Sequence, residues 1–140
     1  MDLSIAYPRS PKVKMSGLLQ LARMIDKARA YRENKMSDYI YPCPLDKIIL
    51  NFLRIDFDVF TIKAVDCGDE EISAWSQEIL KYKNAAEIDF INNQILERRP
   101  DSEDRLKYFR EIRNKINPSR EDINTWVDLM DLEEGRLPRK

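Results

Sequence analysis

The stretch LLQLARMIDKARAYRE, residues 18–33, decides the fold because it carries a clear helical pattern. Ser16 stands before the stretch as an N-cap, and the helix is expected to run to Arg32. One turn past the last apolar position, Arg29 returns to the middle of the apolar stripe, so the pattern predicts a cation on the buried face. The stripe itself recurs at intervals of three and four residues, which turns it toward a core: Leu18, Leu21, Ala22 and Ile25.

A cation that points into a core needs a carboxylate or several acceptors, because an unpaired buried charge is strongly unfavourable. Asp26 is the nearest carboxylate, three residues from both Arg23 and Arg29. We hypothesise that the first and last helices pack together, so that Arg29 and Asp26 meet Asp128 or Asp131. Two further acids in the same carboxyl-terminal stretch are alternatives: Glu133 and Glu134.

Two interpretations of Arg29 follow. In the first, which we favour, Arg29 extends to solvent at the helix end or closes a structural ion pair. In the second, Arg29, Asp26 and a carboxylate of the last helix line a polar pocket that holds a small polar or anionic ligand. Arg23 belongs to the same candidate pocket.

The stretch YIYPCPLD, residues 39–46, is a second candidate site. The proline after Cys43 suits the first position of a helix, so Cys43 lies at a helix N-terminus, where the helix dipole favours a thiolate. In the functional interpretation Cys43 is a reactive thiol, and Tyr39 or Tyr41 shapes a pocket. In the structural interpretation, which we favour, Cys43 is a small buried residue in a constrained turn and the tyrosines pack around it. Without histidine, only Lys47 or a tyrosine is available as a nearby base.

The stretch TWVDLMDLEEGR, residues 125–136, is a third candidate. Its apolar residues form a core stripe, and the candidate binding residues are Trp126, Asp128 and Asp131. Clustered carboxylates can hold Mg²⁺ or Ca²⁺, but the spacing does not match a calcium-binding loop. We therefore favour a solvated acidic edge and predict no metal site.

The composition excludes several classes of function. The chain has 24 basic and 25 acidic residues and a net charge of −1, which disfavours a nucleic-acid surface. Zinc sites that use histidine or four cysteines are excluded, because the chain has no histidine and 2 cysteines. Its 3 glycines are too few for phosphate-binding loops, so no cofactor is predicted. We see neither a secretory signal nor a membrane-spanning run, and we expect a cytoplasmic protein.

The rest of the chain is a series of short helical patterns separated by proline, glycine and capping residues. We expect an all-α fold, a single compact domain of about six or seven helices in an irregular orthogonal bundle. Residues 1–14 are predicted to form an extended arm, residues 15–135 the helical domain and residues 136–140 a loose tail. The last helix is expected to begin near Ile123 and to end at Gly135.

Three segments resemble a known family: SGLLQLARMIDKARA, DYIYPCPLDKIILNFLRID and DINTWVDLMDLEEGR. They are similar to bacterial proteins grouped as domain of unknown function 5069, over about Arg9 to Arg139. The resemblance implies a bacterial, cytoplasmic, stand-alone helical domain, and it implies no activity. Such proteins often have Gly-Ile-Asp where this chain has Arg54 before Ile55, which removes a residue suited to a left-handed turn.

These observations lead to two classes of function. The first, which we favour, is a non-catalytic binding or protein-interaction module, with self-association as a homodimer as one form of it. It rests on the missing histidine, the missing glycine-rich loops and the lack of a complete catalytic constellation. The second is a small-molecule-binding protein or an enzyme that uses the Arg/Asp pocket or the Cys43 thiol. Nucleic-acid and membrane partners are not expected.

Overall fold

The computed structural model describes residues 1–138 of the chain. These residues form seven α-helices and contain no β-strand. This arrangement confirms the all-α prediction. In chain order the helices are α1 (Leu21–Arg32), α2 (Pro44–Leu53), α3 (Phe57–Asp66), α4 (Asp69–Leu80), α5 (Ala85–Glu97), α6 (Glu103–Ile116) and α7 (Trp126–Glu133).

The chain divides into two compact units, Met1–Ile95 and Leu96–Lys140, which we call unit 1 and unit 2. Helices α1 to α4 belong to unit 1, helices α6 and α7 belong to unit 2, and α5 crosses the boundary. The predicted division into an arm, one helical domain and a tail stays a prediction. Residues 139–140 of that tail lie outside the described part.

Ser16 does not cap α1, because the chain turns back before the helix starts. Met15 and Leu18 exchange two backbone hydrogen bonds of 2.9 Å each. Between them, Ser16 and Gly17 both have positive φ, 53° and 79°, as in a type I′ turn. The Ser16 hydroxyl lies 2.7 Å from the hydroxyl of Ser76 on α4. Helix α1 therefore begins beyond this turn, later than predicted.

Helix α1 is buried along most of its length. It packs against α2 and, more extensively, against α3. From Leu21 to Ala30 every residue except Arg29 is buried, including Arg23, Asp26 and Lys27. The predicted amphipathic pattern with one solvated face is therefore wrong, and the charged residues of α1 need partners inside the protein.

The core of unit 1 receives side chains from each of its first four helices. Asn92 of α5 connects to the chain before α1: its amide nitrogen donates to the carbonyl of Gly17 at 2.9 Å, and its oxygen accepts from the N–H of Leu19 at 3.0 Å. Hydrogen bonds of this kind satisfy backbone groups that the turn leaves outside the helix. Large, fully buried core residues include Met24, Ile25, Ile49, Phe60 and Ile72.

Unit 2 has its own core, formed by α6 and α7. Side-chain caps start both helices, since the hydroxyls of Ser102 and Thr125 accept hydrogen bonds from backbone N–H groups in the first turn. The Thr125 cap sets the start of α7 at Trp126, later than the predicted start near Ile123. The buried core residues of unit 2 are Phe109, Ile123, Leu129 and Leu132.

Helix α2 ends at Leu53, and the C-cap residue Arg54 that follows has a left-handed backbone, with φ 56° and ψ 46°. The Arg54 N–H donates to the carbonyl of Asn51 at 3.2 Å, and the N–H of Ile55 donates to that of Leu50 at 3.0 Å. This position usually holds glycine, because a β-carbon crowds the backbone in the left-handed conformation. The turn therefore forms with arginine in a conformation that favours glycine.

Arg54→Gly is expected to stabilise the protein by about 1 kcal/mol, since glycine adopts the left-handed conformation without the steric cost. Urea unfolding followed by circular dichroism measures the change. As a matched control, Lys47→Gly places glycine at an exposed position inside α2 and should destabilise by about 1 kcal/mol. A loss of stability in Arg54→Gly would contradict the argument.

Candidate functional site

Two predicted site residues, Asp26 and Arg29, are connected through Arg9 and Asp69, and we call these four residues the arginine clasp. Arg9 makes a bidentate contact with Asp26: its Nε donates to Oδ2 at 3.0 Å and its Nη2 donates to Oδ1 at 3.1 Å. Its Nη1 donates to Asp69 Oδ2 at 2.8 Å. Asp69 Oδ1 lies 3.1 Å from Arg29 Nη1. The clasp ties the segment before α1 to α1 itself and to the start of α4.

Arg29 is held at the carboxyl end of α3. Its Nε donates to the carbonyl of Ala64 at 2.9 Å and its Nη2 to that of Cys67 at 3.1 Å. Helix carbonyls at this end carry a partial negative charge, which favours a cation. The Arg29 side chain is 28% exposed and that of Lys27 is 3% exposed, so the sequence pattern selected the less buried of the two cations.

Asp69 is shared by two guanidinium groups. Partial burial disfavours its charged form, but the hydrogen bonds and charges of Arg9 and Arg29 outweigh burial and hold the pKa of Asp69 below its usual value. Asp69 is therefore an anion at neutral pH. The carboxylate beside Arg29 is Asp69, whereas Asp26, the nearest carboxylate in sequence, is bound by Arg9.

Arg23 lies next to the clasp. Its Nη1 donates to the backbone carbonyl of Arg9 at 3.2 Å, and its guanidinium carbon lies 5.5 Å from the centre of the Tyr39 ring. A guanidinium within about 6 Å of an aromatic ring centre makes a cation–π contact. The structure therefore brings Arg23 and Tyr39 together, as two of the predicted site residues.

A second polar group, which we call the buried polar cluster, consists of Gln20, Lys27, Cys43 and Asp46. Lys27 Nζ lies 2.6 Å from Asp46 Oδ2, and the two side chains are 3% and 0% exposed. Gln20 Nε2 donates to Asp46 Oδ1, and the Cys43 N–H donates to Oδ2, both at 2.9 Å. The Asp46 carboxylate thus receives three hydrogen bonds, which compensate for its removal from water.

Cys43 caps α2 through a reciprocal contact with Asp46, whose N–H donates to the Cys43 sulfur. Burial raises the pKa of the Cys43 thiol, and the Asp46 carboxylate raises it further, while the Lys27 ammonium opposes both effects. The helix N-terminus therefore does not produce a thiolate here. The cation beside the thiol is Lys27, and the Lys47 side chain, which sequence proximity suggested as a base, is exposed.

Tyr41 belongs to an aromatic group and not to a pocket around Cys43. Its hydroxyl lies 2.7 Å from that of Thr61, and its ring centre lies 5.5 Å from Tyr31 and 4.9 Å from Phe57. Burial raises the pKa of Tyr41, although the hydrogen bond with Thr61 acts in the opposite direction. A phenol in this environment stays protonated and serves packing.

The candidate residues at the start of α7 lie in unit 2. Trp126 packs edge-on against Phe109, with ring centres 5.1 Å apart. The N–H of Asp128 donates to the Thr125 hydroxyl at 3.3 Å, so Asp128 lies in the capped first turn of the helix. Trp126 therefore takes part in the core of unit 2, and a carboxylate in the first turn is favoured by the helix dipole.

Two acids near the end of α7 are buried, Asp131 at 3% and Glu134 at 8% exposure. Arg136 contacts both carboxylates. The predicted solvated acidic edge is therefore wrong at these positions, because a cation that follows the helix neutralises acids removed from water. The predicted meeting of Arg29 and Asp26 with Asp128 or Asp131 stays a prediction.

Two surface grooves share no lining residue with the arginine clasp or the buried polar cluster. The groove in unit 1 has a volume of about 390 Å³ and includes Phe52, Lys83 and Phe90 in its lining. The other follows α6 between Glu103 and Asn114. Ligand sites usually combine a concave surface with a few converging polar groups. In these two grooves the concave surface does not coincide with the clasp or with the buried polar cluster.

Within residues 1–138, no group of three or more cysteine, aspartate or glutamate side chains is placed to hold a metal ion. In the same part of the chain, each helix is too short or too polar to serve as a transmembrane span.

Sequence reasoning missed most of the partners of α1. One signal for the buried polar residues of α1 was present: Gln20, Arg23 and Lys27 follow one another at i, i+3 and i+7, so they form a polar stripe on one helix face. Such a stripe is usually solvated, and only the burial of α1 makes it a buried polar face. Spacing contains no signal for Arg9 or Asp69, because both reach the clasp through tertiary packing.

The described residues thus define an all-α chain whose first unit packs around a buried, charged helix. The family model for the domain of unknown function DUF5069 matches residues 5–136, and the chain belongs to this family. No curated protein matches the chain.

Lys27→Met is expected to lower the free energy of unfolding by about 3–5 kcal/mol, because it leaves the Asp46 carboxylate buried without its cation. The matched control is Lys81→Met, which removes an exposed pair with Glu78, with side chains 63% and 68% exposed. The control should change stability by no more than about 0.5 kcal/mol. Equal losses in urea unfolding would contradict the role of the buried pair.

The lowered pKa of Asp69 predicts that the stability of the protein depends on pH. Its pKa is lower in the folded protein than in the unfolded chain, where it is near 3.8. Its stabilisation is therefore fully present above pH 3.8 and is lost as the pH falls through the folded-state value. The free energy of unfolding should fall more steeply below this pH in the wild type than in Asp69→Asn. As a control, Glu70→Gln changes an exposed neighbour of Asp69 and should keep the wild-type slope of unfolding free energy against pH. Parallel pH profiles for the wild type and Asp69→Asn would refute the argument.

Proposed function

We propose that this chain is a non-catalytic module that binds a partner protein, and that the charged residues of α1 stabilise the module. The observation that carries this proposal is that each guanidinium nitrogen of Arg9 and Arg29 already contacts an acceptor. All three guanidinium nitrogens of Arg9 contact Asp26 or Asp69. All three nitrogens of Arg29 contact Asp69 or a carbonyl at the end of α3.

The existing contacts of the Arg9 and Arg29 guanidinium groups argue against the alternative of a small anionic or polar ligand. An arginine that recognises an anion presents a pair of nitrogens to it. Here a ligand would have to displace an aspartate or a helix carbonyl that already holds those nitrogens. The displaced group would then be left partly buried without a partner, at a cost that opposes binding.

The thiol alternative is also disfavoured. Burial and the Asp46 carboxylate raise the pKa of Cys43, so the thiol is protonated at neutral pH and is a weak nucleophile. The chain has no histidine, and the Lys27 ammonium beside the thiol is already bound to Asp46. The Asp46 carboxylate in turn accepts from Lys27, Gln20 and the Cys43 N–H, so neither neighbour of the thiol is free to act as its base.

A bacterial origin and a cytoplasmic location are part of the proposal, since the family resemblance favours both. Self-association also belongs to it, as one possible form of partner binding. The balanced net charge of −1 favours a protein partner over a nucleic acid. Sedimentation equilibrium at high concentration tests the homodimer, and a strict monomer removes it.

Thermal unfolding with millimolar phosphate, sulfate or citrate tests the ligand alternative. We expect the same small, non-saturating change in Tm for the wild type and for Arg29→Lys, because the clasp offers no free nitrogens to an anion. A saturable rise in Tm that Arg29→Lys abolishes would identify a ligand pocket and overturn the proposed function.

Alkylation with iodoacetamide tests the thiol alternative, in a Cys67→Ser background so that Cys43 is the one remaining cysteine. Labelling of the native protein should be much slower than labelling of the urea-unfolded protein. Its rate should still rise above pH 9, because burial raises the pKa of the Cys43 thiol above its ordinary value of 9.0. A rate that reaches its plateau below neutral pH would indicate an activated thiolate and favour an enzyme.

A further inference from the structure

Helix α3 has an exposed apolar face opposite the one that it buries. Its inner face consists of Phe60, Thr61 and Ala64, which are buried. Opposite them, the residues Val59, Ile62 and Val65 are 51%, 50% and 39% exposed. At the helical rotation of about 100° per residue, Ile62 lies between the two valines. We call this surface the outer face of α3: Asp58, Val59, Ile62, Val65 and Asp66.

The apolar composition of the outer face of α3 is unusual for a helix surface that contacts only solvent. A surface helix normally carries polar residues on its solvent side, and β-branched residues are poor helix formers there. Grouped apolar residues with polar neighbours mark interaction sites more often than single exposed ones do. The outer face of α3 therefore has the composition of a docking surface.

The charges around this face are predominantly acidic. Asp58 and Asp66 lie on the face itself, and Asp56 precedes the helix. Among residues 1–138 none of these three carboxylates forms an ion pair. The one cation of α3, Lys63, lies at the edge of the face with its ammonium 5.3 Å from the centre of the Trp75 ring. The other nearby cation in sequence, Arg54, belongs to the turn after α2.

We propose that the outer face of α3 binds a basic amphipathic helix of a partner protein, an inference that rests on the proposed function. The partner helix would place apolar residues at i, i+3 or i+4 and i+7 against Val59, Ile62 and Val65. Lysine or arginine residues that flank this stripe would lie opposite Asp58 and Asp66. Such complementarity speeds association and sets the orientation of the bound helix.

A second copy of this chain is a poorer occupant of the same face. In a two-fold symmetric dimer the same patch contacts itself, so Asp58 and Asp66 of each copy would approach the same acids of the other. Like charges at the margin oppose such an association. Charge complementarity therefore favours a basic partner over self-association through α3.

The probe is a synthetic helical peptide with a leucine stripe flanked by lysines, labelled with a fluorophore. A control peptide has the same stripe with glutamate in place of lysine. Fluorescence anisotropy with the full chain should show binding of the lysine peptide, weakening as salt is raised, and little binding of the glutamate peptide. Amide NMR shifts should locate the lysine peptide on residues 57–66.

Three variants test the site. Ile62→Lys should weaken binding of the lysine peptide by about tenfold or more, since it removes the central apolar contact and adds a like charge. The double variant Asp58→Lys with Asp66→Lys should reverse the preference, so that the glutamate peptide binds better. Ile5→Lys, at a position 84% exposed outside α3, is the matched control and should bind as the wild type does. Circular dichroism verifies that each variant is folded.

Three results would overturn the proposal. They are failure of the lysine peptide to bind, binding that Ile62→Lys leaves unchanged, and a homodimer in sedimentation equilibrium that Ile62→Lys dissociates. Each of them removes the basic partner of α3 but leaves the proposed function standing. Failure of the proposed function itself would appear separately, in the anion and alkylation experiments, which do not involve α3.

Discussion

The rest of this structure depends on the burial of a charged helix. From Leu21 to Ala30, α1 is almost entirely out of water, yet it carries Arg23, Asp26 and Lys27. An unpaired buried charge costs an amount comparable to the whole net stability of a domain. Each charge therefore has to meet a group from elsewhere in the chain. The Lys27–Asp46 pair meets this requirement with side chains 3% and 0% exposed, and it fixes the start of α2 against α1.

The need to pair each buried charge of α1 restricts how the helices can be arranged. Its contribution to the net stability is smaller. A buried ion pair contributes little net free energy compared with apolar residues of the same shape, whereas breaking one is costly. A packing of α1 that separated Lys27 from Asp46, or Arg9 from Asp26, would leave a charge without a partner. We infer that the clasp and the buried polar cluster specify the position of α1, because its sequence alone does not distinguish a core face from a solvated face.

The helices could be predicted from sequence, but the environment of α1 could not. Proline at the start of α2 is a local signal that placed this helix correctly, whereas the predicted starts of α1 after Ser16 and of α7 near Ile123 were too early. Periodicity assumes one solvated face, so it assigned Arg29 to the core and gave no role to Lys27. Arg9 lies 17 residues from Asp26 and 60 from Asp69, and spacing carries no information about pairs that only tertiary packing creates. The burial of Asp131 was missed for a different reason: its partner Arg136 is close in sequence, but the acids of this segment were assigned to a solvated edge.

The distribution of charge separates the role of the interior from that of the surface. In the arginine clasp, each guanidinium nitrogen of Arg9 and Arg29 already contacts an acceptor, so a ligand would have to displace one of these acceptors. The outer face of α3 differs from the clasp. Its apolar side chains are exposed, and the neighbouring carboxylates form no ion pair within residues 1–138. The inner face of the same helix packs on α1, and its last turn holds Arg29 through the carbonyl of Ala64. A partner that docks on α3 would therefore bind a helix whose position the clasp already fixes, so little conformational entropy would be lost on binding.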